Sequence, residues 1–167
     1  LFNRALEFCL LMALPAAIAL MVIPNVLVAG LFERGAFDSA DTSMTSSVLM
    51  AYALGLPAYI ATKVFSTMHW ARQDTVTPVR IAVKATLANI ILSIIFIQFI
   101  GVTGIALATG LTGWMQFYLH IRALKGHPVA VFDNKFRRNA AKIVVCSLVM
   151  ASTLFLLDKF ALNGFSA

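Results

Sequence analysis

The sequence predicts an all-α integral membrane protein whose five transmembrane helices form part of a larger helical bundle. Hydrophobic residues make up 60% of the 167 residues and charged residues 12%, about half the charged fraction of a soluble domain. The apolar residues form continuous runs instead of the alternating pattern of barrel strands. A span needs about 20 such residues, and the runs reach that length. A soluble globular domain is therefore excluded.

Gaps between charged residues locate the membrane segments. Uncharged stretches cover residues 8–32, 42–62, 85–121 and 143–157. The third is too long for one helix, and the sequence Gly101-Val102-Thr103-Gly104 near its middle supplies a tight turn. The predicted transmembrane helices therefore cover residues 6–31, 43–70, 80–100, 104–122 and 140–160, with loops at 71–79 and 123–139.

Basic residues assign the loops to the two sides of the membrane. With the N-terminus in the cytoplasm, only Arg34 and Lys159 lie outside, and Lys63 lies within the membrane. The ten others lie inside: Arg4, Arg72, Arg80, Lys84, Arg122, Lys125, Lys135, Arg137, Arg138 and Lys142. One span more or fewer would exchange the sides of all later loops. The asymmetry therefore predicts five spans and a cytoplasmic N-terminus. The chain starts at Leu1 without signal-peptide architecture, so we expect a segment of a longer protein.

Lys63 is the sharpest functional candidate, because an ammonium group in hydrocarbon is costly unless it pairs, faces water or extends to the interface. One interpretation places it in an aqueous cavity, facing an anionic substrate or a carboxylate of another helix. The other extends its stem towards the interface near Arg72.

Three prolines in the spans are hinge candidates: Pro15, Pro24 and Pro57. Each removes an intrahelical hydrogen bond, so kinked helices are expected. Packing without any hinge motion is the alternative.

Small residues indicate close packing of the fourth predicted helix. Ala106 with Gly110, and Thr109 with Gly113, are pairs of small residues that allow a neighbouring backbone to approach. Three amides near the spans are expected to form interhelical hydrogen bonds: Asn89, Gln98 and Gln116.

The loops carry local signals. Asp74 is suited to a turn or cap, and Pro78 to the first turn of the next helix. Gly35 is an expected turn residue, with Asp38 or Asp41 as a helix N-cap. The basic, aromatic segment 125–138 is either a solvated linker or an interfacial helix that binds anionic membrane lipids.

Several classes of function are disfavoured. The basic residues do not cluster on a polar face, so no nucleic-acid binding is expected. Cys9 and Cys146 lie in apolar runs, and the three histidines His69, His120 and His127 lack ligand spacing, so no metal site is expected. No phosphate loop or catalytic constellation is present, so we expect neither an enzyme nor a cofactor.

Three segments carry a family resemblance: residues 31–37 (LFERGAF), residues 51–57 (AYALGLP) leading to Lys63-Val64, and above all residues 71–79 (ARQDTVTPV). Their order and spacing resemble the MurJ (MviN) family of lipid II flippases. The resemblance is specific through residue 80, and only the hydropathy pattern follows after residue 124. His69-Trp70 replaces an aromatic pair that is usual in the family.

The resemblance implies a transporter bundle of fourteen helices in the multidrug/oligosaccharidyl-lipid/polysaccharide exporter superfamily, with this chain as helices nine to thirteen. It implies movement of undecaprenyl-pyrophosphate-linked muropeptide, a lipid-linked peptidoglycan precursor, from the cytoplasmic to the periplasmic leaflet of the bacterial inner membrane. The implied mechanism is alternating access driven by membrane potential or a coupling ion. Lys63 would be a cavity or coupling charge, with Arg72, Asp74, Thr77 and Pro78 as elements of a cytoplasmic gate.

Two alternatives remain at this point. One is another transporter, either an exporter of a different polyprenyl-linked glycan or a drug antiporter. The sequence of residues 72–78 argues against both of these transporters. The other is a non-transporting membrane scaffold that recruits cell-wall enzymes through residues 125–138.

Overall fold

The computed structural model describes residues 2–124 and 134–164. Every regular element in this part is an α-helix, which confirms the predicted all-α class. The helices are α1 (Phe2–Val22), α2 (Pro24–Phe32), α3 (Ser39–Ala71), α4 (Val76–Ile100), α5 (Val102–Leu124) and α6 (Asn134–Gly164).

The first predicted segment, 6–31, consists of two helices instead of one. Ile23, with φ −123° and ψ 43°, separates them, and Pro24 is the first residue of α2. Proline disfavours helical geometry in the residue before it and cannot donate a backbone hydrogen bond. Leu27 N–H still bonds the Ile23 carbonyl at 3.2 Å, so the break is confined to one residue. Pro15 and Pro57, by contrast, lie inside continuous helices.

Five of the helices form a row of neighbours in the order α6, α1, α3, α5, α4, and α2 packs on α3. Near one end, Leu6 of α1, Phe65 of α3 and Leu124 of α5 form a buried cluster. The starts of α1, α4 and α6 therefore lie at the same end as the last turns of α3 and α5. Most basic residues lie here, and we call this the basic end.

Four of the described helices are long and apolar enough to cross a membrane: Phe2–Val22, Ser39–Ala71, Val76–Ile100 and Lys135–Lys159. The predicted segment 104–122 lies inside α5, which is not among these four. Its buried residues are mostly small or polar, such as Gly113, Thr112 and His120. Because α3 and α4 cover this face, it need not be apolar enough to contact lipid.

Local chemistry sets the start of α3. One carboxylate oxygen of Asp38 accepts hydrogen bonds from the N–H groups of Ala40 at 2.9 Å and Asp41 at 3.0 Å. The Asp41 carboxylate in turn accepts from the Asp38 N–H at 3.3 Å. This reciprocal capping box confirms the expected N-cap. Gly35, at φ +65°, turns the chain before it.

The turn between α4 and α5 is shorter than the four residues predicted. Gly101 alone leaves the helical geometry, at φ +66°, and α5 begins at the next residue. Gly104 already belongs to α5, where a Cβ would overlap the carbonyl group of Phe96. This glycine is thus needed for close helix packing, and Gly101 for the turn.

Candidate functional site

Lys63 lies on an open face of α3. The side chains of Tyr52, Tyr59, Lys63 and Thr67 are all exposed, and their spacing places them on one side of the helix. Phe65, two residues after Lys63, is buried in the cluster at the basic end. Among the described residues Lys63 has no ion pair. Its neighbours one helical turn away on this face, Tyr59 and Thr67, carry hydroxyl groups.

The loop after α3 is short and tightly bonded. The N–H groups of Arg72 and Asp74 both donate to the His69 carbonyl at 3.0 Å, and that of Gln73 donates to the Trp70 carbonyl at 2.9 Å. Gln73 adopts a positive φ of 61°, which is uncommon for a residue other than glycine. α4 begins at Val76, earlier than the predicted 80.

Asp74 joins the two helices at this loop. One carboxylate oxygen accepts from the Thr77 N–H at 3.0 Å, and the other is 3.3 Å from Nδ1 of His69. Hydrogen bonds from the Thr77 side chain and backbone, and then from His69, hold the pKa of Asp74 below its ordinary value. The carboxylate therefore caps α4. Pro78 is buried in the first turn of that helix, where its missing N–H costs little.

The structure brings together two histidines that show no metal-ligand spacing in the sequence. The rings of His69 and His120 are both buried, and their centroids are 5.4 Å apart. Among residues 2–124 and 134–164, no group forms a hydrogen bond with Nε2 of His69 or with either ring nitrogen of His120. No group of three or more potential metal ligands occurs within residues 2–124 and 134–164. His127 lies outside the described residues.

A sequence signal for this contact exists in the helical spacing. His69 follows the buried Phe65 by four residues, and His120 precedes the buried Leu124 by four. Residues at this spacing share a helix face, so both imidazoles could have been assigned to the packed side of their helices. Their mutual contact needs the arrangement of α3 beside α5, which the spacing alone does not contain.

A close crossing of α3 and α5 holds this region together. A Cβ at Gly55 would lie 2.5 Å from the Cα of Gly110, and one at Gly113 would lie 2.9 Å from the ring of Tyr59. The prediction of intramolecular helix contact at the small residues of α5 is thus confirmed. The same contact packs the Tyr59 ring beside α5, one helical turn before Lys63.

Side-chain hydrogen bonds add to the packing of α5. The amide of Asn89 donates to the hydroxyl oxygens of Thr109 at 3.1 Å and Thr112 at 3.0 Å. The expected interhelical role of this amide is confirmed. On the other neighbour, Trp114 Nε1 donates to the carbonyl of Leu54 at 3.0 Å.

Comparisons with known proteins bear on what this arrangement does. The family model "Lipid II flippase MurJ" matches residues 1–167. A probable lipid II flippase MurJ of Rhizobium tropici is 34% identical over 156 residues, which is 93% of this chain and 29% of that protein. The lipid II flippase MurJ of Thermosipho africanus (strain TCF52B) is 35% identical over 156 residues, 93% of this chain and 31% of that protein.

A solved structure, "Lipid II flippase MurJ, inward closed conformation", superposes with a TM-score of 0.84 at 34% identity. The match covers 94% of this chain and 32% of that one. The chain thus spans roughly a third of the length of the proteins that it matches. These proteins are named as flippases, which are transporters and not enzymes. Because the family model matches every residue from 1 to 167, this chain is a multi-pass membrane segment that belongs to the family of the lipid II flippase MurJ.

Proposed function

We propose that the intact protein is a lipid II flippase of the bacterial inner membrane. In this proposal it moves undecaprenyl-pyrophosphate-linked muropeptide from the cytoplasmic to the periplasmic leaflet by alternating access. The observation that supports it best is the match to the solved flippase over 94% of the chain at a TM-score of 0.84. The segment alone spans roughly a third of such a protein, so transport belongs to the intact chain.

The orientation proposed for this segment places the basic end in the cytoplasm. Basic residues are enriched on the cytoplasmic side of membrane proteins, and the starts of α1, α4 and α6 carry most of those in this chain. The loop between α3 and α4 then faces the cytoplasm. Arg72, Asp74, Thr77 and Pro78 are proposed as elements of a gate there, because Asp74 ties the two helices together.

Lys63 is proposed to face the transport cavity and to hold an anionic group of the substrate or a carboxylate elsewhere in the protein. Its exposure on α3, beside Tyr59 and Thr67, supports this placement over one in hydrocarbon.

The three prolines are proposed as hinges, and the structure supports the three positions to different degrees. Pro24 marks an actual break between α1 and α2, where one residue separates the helices. Pro57 is buried near the α3–α5 crossing, two residues after Gly55. Pro15 lies within α1. A hinge acts through backbone rotation, so a change in helix angle is best supported at Pro24.

The first test is depletion of the intact protein in its own cells, followed by measurement of lipid-linked precursor on each face of the inner membrane. Accumulation on the cytoplasmic face while the synthetic enzymes remain active is expected. A normal distribution would contradict the proposal and favour an exporter of another glycan or a scaffold. Removing the basic charges of residues 125–138 separates the scaffold from the transporter. A scaffold would lose partner binding, while lipid movement by the purified protein would be retained.

The Lys63 proposal has its own test. Lys63→Met keeps the apolar stem and removes the charge, so transport is expected to fall at unchanged protein level. Lys159→Met is the matched control, since Lys159 is also an exposed lysine but lies near the opposite end of the bundle. Normal transport by Lys63→Met would place the ammonium group at the interface instead. Transport would be measured with purified protein in vesicles.

A further inference from the structure

A cleft between α4 and α5 opens at the basic end of the row. It has a volume of about 380 Å³, and its lining includes Thr77, Arg80, Lys84 and Arg122. Arg80 and Lys84 are separated by one helical turn on α4, and Arg122 comes from the last turn of α5. Three cationic side chains from two helices thus meet at one opening.

None of these three cations is neutralised within the described part of the chain. No acidic residue lines the cleft. The ion pair between His69 and Asp74 in the described part of the chain involves none of the three cations. Asp74, the acidic residue nearest to Arg80 and Lys84 in sequence, directs its carboxylate to Thr77 and His69. Like charges held near one another favour an anion between them.

Exposed apolar side chains form a row on α4 and α5 that leads from the cations towards the membrane interior. On α4 the exposed residues Leu87, Ile91 and Ile95 follow Lys84 at helical spacing, on the same side as the cleft. On α5 the exposed Tyr118 and Leu111 precede Arg122 in the same way. A free phosphate ion gains nothing from an apolar surface beside its binding site, whereas the acyl chains of a lipid would contact it.

The cleft lies on the opposite side of the row from Lys63. Leu107, on the same side of α5 as Leu111, lines an apolar depression with Leu54 of α3. Lys63 follows Leu54 by nine residues, about two and a half helical turns. It therefore lies on the other side of α3, and the cleft is separate from the face proposed to bind substrate.

We propose that Arg80, Lys84 and Arg122 bind the phosphate group of an anionic bilayer phospholipid, whose chains lie against the exposed apolar residues of α4 and α5. Basic pockets between transmembrane helices on the cytoplasmic side bind acidic headgroups in this way. The three cations do not include Lys63 or any of the proposed gate residues, although the gate residue Thr77 also lines the cleft.

Purified intact protein in detergent provides the test. Phosphatidylglycerol would be titrated and bound lipid measured by native mass spectrometry, with phosphatidylcholine and inorganic phosphate as competitors. Each basic residue near a headgroup contributes about 1 kcal/mol, or about fivefold in affinity. Arg80→Gln, Lys84→Gln and Arg122→Gln are each expected to weaken phosphatidylglycerol binding about fivefold, and the triple variant about a hundredfold.

Lys142→Gln is the matched control, because it removes one exposed positive charge from a different groove at the same end. Its phosphatidylglycerol affinity is expected to stay unchanged, and Lys84→Arg is expected to retain binding. Equal losses in the control and cleft variants would show a general charge effect and overturn the proposal. Competition by inorganic phosphate as strong as by phospholipid would also overturn it. Unchanged melting temperatures of the variants exclude misfolding as the cause of a loss.

Discussion

The α3–α5 crossing and the outer face of α4 differ in the size and polarity of their side chains, although both belong to one membrane segment. At the crossing the residues are small or polar, and the Gly55 and Gly110 backbones nearly touch. On the outer face of α4 the residues are large and apolar, and Ile91 is 60% exposed. Hydrophobic burial adds little to helix association in lipid, because lipid chains are themselves apolar. Close backbone contact and hydrogen bonds therefore hold the crossing together, whereas large side chains serve where a helix faces outward.

The largest expected effect comes from filling the crossing. Gly55→Leu would place side-chain atoms where the Gly110 backbone lies, and neither backbone can move without separating the helices. Overpacking of this kind costs about 3 kcal/mol, so the melting temperature of the purified intact protein should fall clearly. Gly30→Leu is the control, because a Cβ at Gly30 would meet no described atom within 4 Å outside its own stretch of helix. Equal losses in the two variants would mean that the crossing is not tightly packed.

Removing the hydrogen bonds of Asn89 should cost less. Thr109 and Thr112 also donate to carbonyl groups of their own helix, at 2.9 Å to Ile105 and 3.0 Å to Ala108. The variant Asn89→Leu therefore leaves both threonine hydroxyls with an acceptor and removes, besides the two amide bonds, only the long 3.4 Å bond that the Ser93 hydroxyl donates to Asn89 Oδ1. We expect a loss of about 1 kcal/mol in unfolding free energy. Gln98→Leu, on the exposed face of the same helix, should change stability little. A loss in Gln98→Leu as large as in Asn89→Leu would contradict the assignment of these hydrogen bonds.

The loop that joins the two regions should give a smaller, pH-dependent effect. The pKa of Asp74 is lowered from 3.8 in the folded protein, chiefly by Thr77. Its stabilising contribution is therefore complete above pH 3.8 and is lost as the pH falls through the lower folded-state pKa. Melting temperatures of wild type and Asp74→Asn should differ most near neutral pH and converge at strongly acidic pH. A difference that does not depend on pH would mean that the carboxylate charge contributes nothing.

The smallest effect is expected on the outer face of α4. Ile91→Ala removes an exposed side chain, and the unfolding free energy should change by no more than about 0.5 kcal/mol. Unfolding of the intact protein in detergent measures it. A loss of more than about 2 kcal/mol, typical of a buried isoleucine, would mean that another part of the protein covers this face, and the contrast with the crossing would then fail.

Much of the fold could be predicted because hydropathy and charge act locally. The predicted segments 43–70, 80–100, 104–122 and 140–160 each lie inside a helix of the structure. The capping role of Asp38 was also predictable, since a cap acts within four residues. The break at Ile23 was the exception. Pro24 was predicted to kink one helix, whereas it begins another, because the residue before a proline avoids helical geometry.

The candidate site was predictable only in part. Lys63 stands out in any hydropathy profile, and Asp74 and Pro78 carry local turn chemistry. The contact of His69 with His120 joins residues 51 positions apart, and no local pattern pairs them. The cleft of Arg80, Lys84 and Arg122 likewise needs α4 beside α5. In the sequence these three residues are ordinary basic residues near helix ends.

The sequence by itself determined the helical class, the membrane segments, the basic end and the helix caps, because each depends on the solvent or on neighbours within a few residues. The tertiary structure decided the order of the helices in the row, the faces that they bury and the groups that meet across them. Most of these helices are apolar on all sides, so hydropathy does not single out the packed face. Close contacts such as that between Gly55 and Gly110 are formed only once the backbones come together.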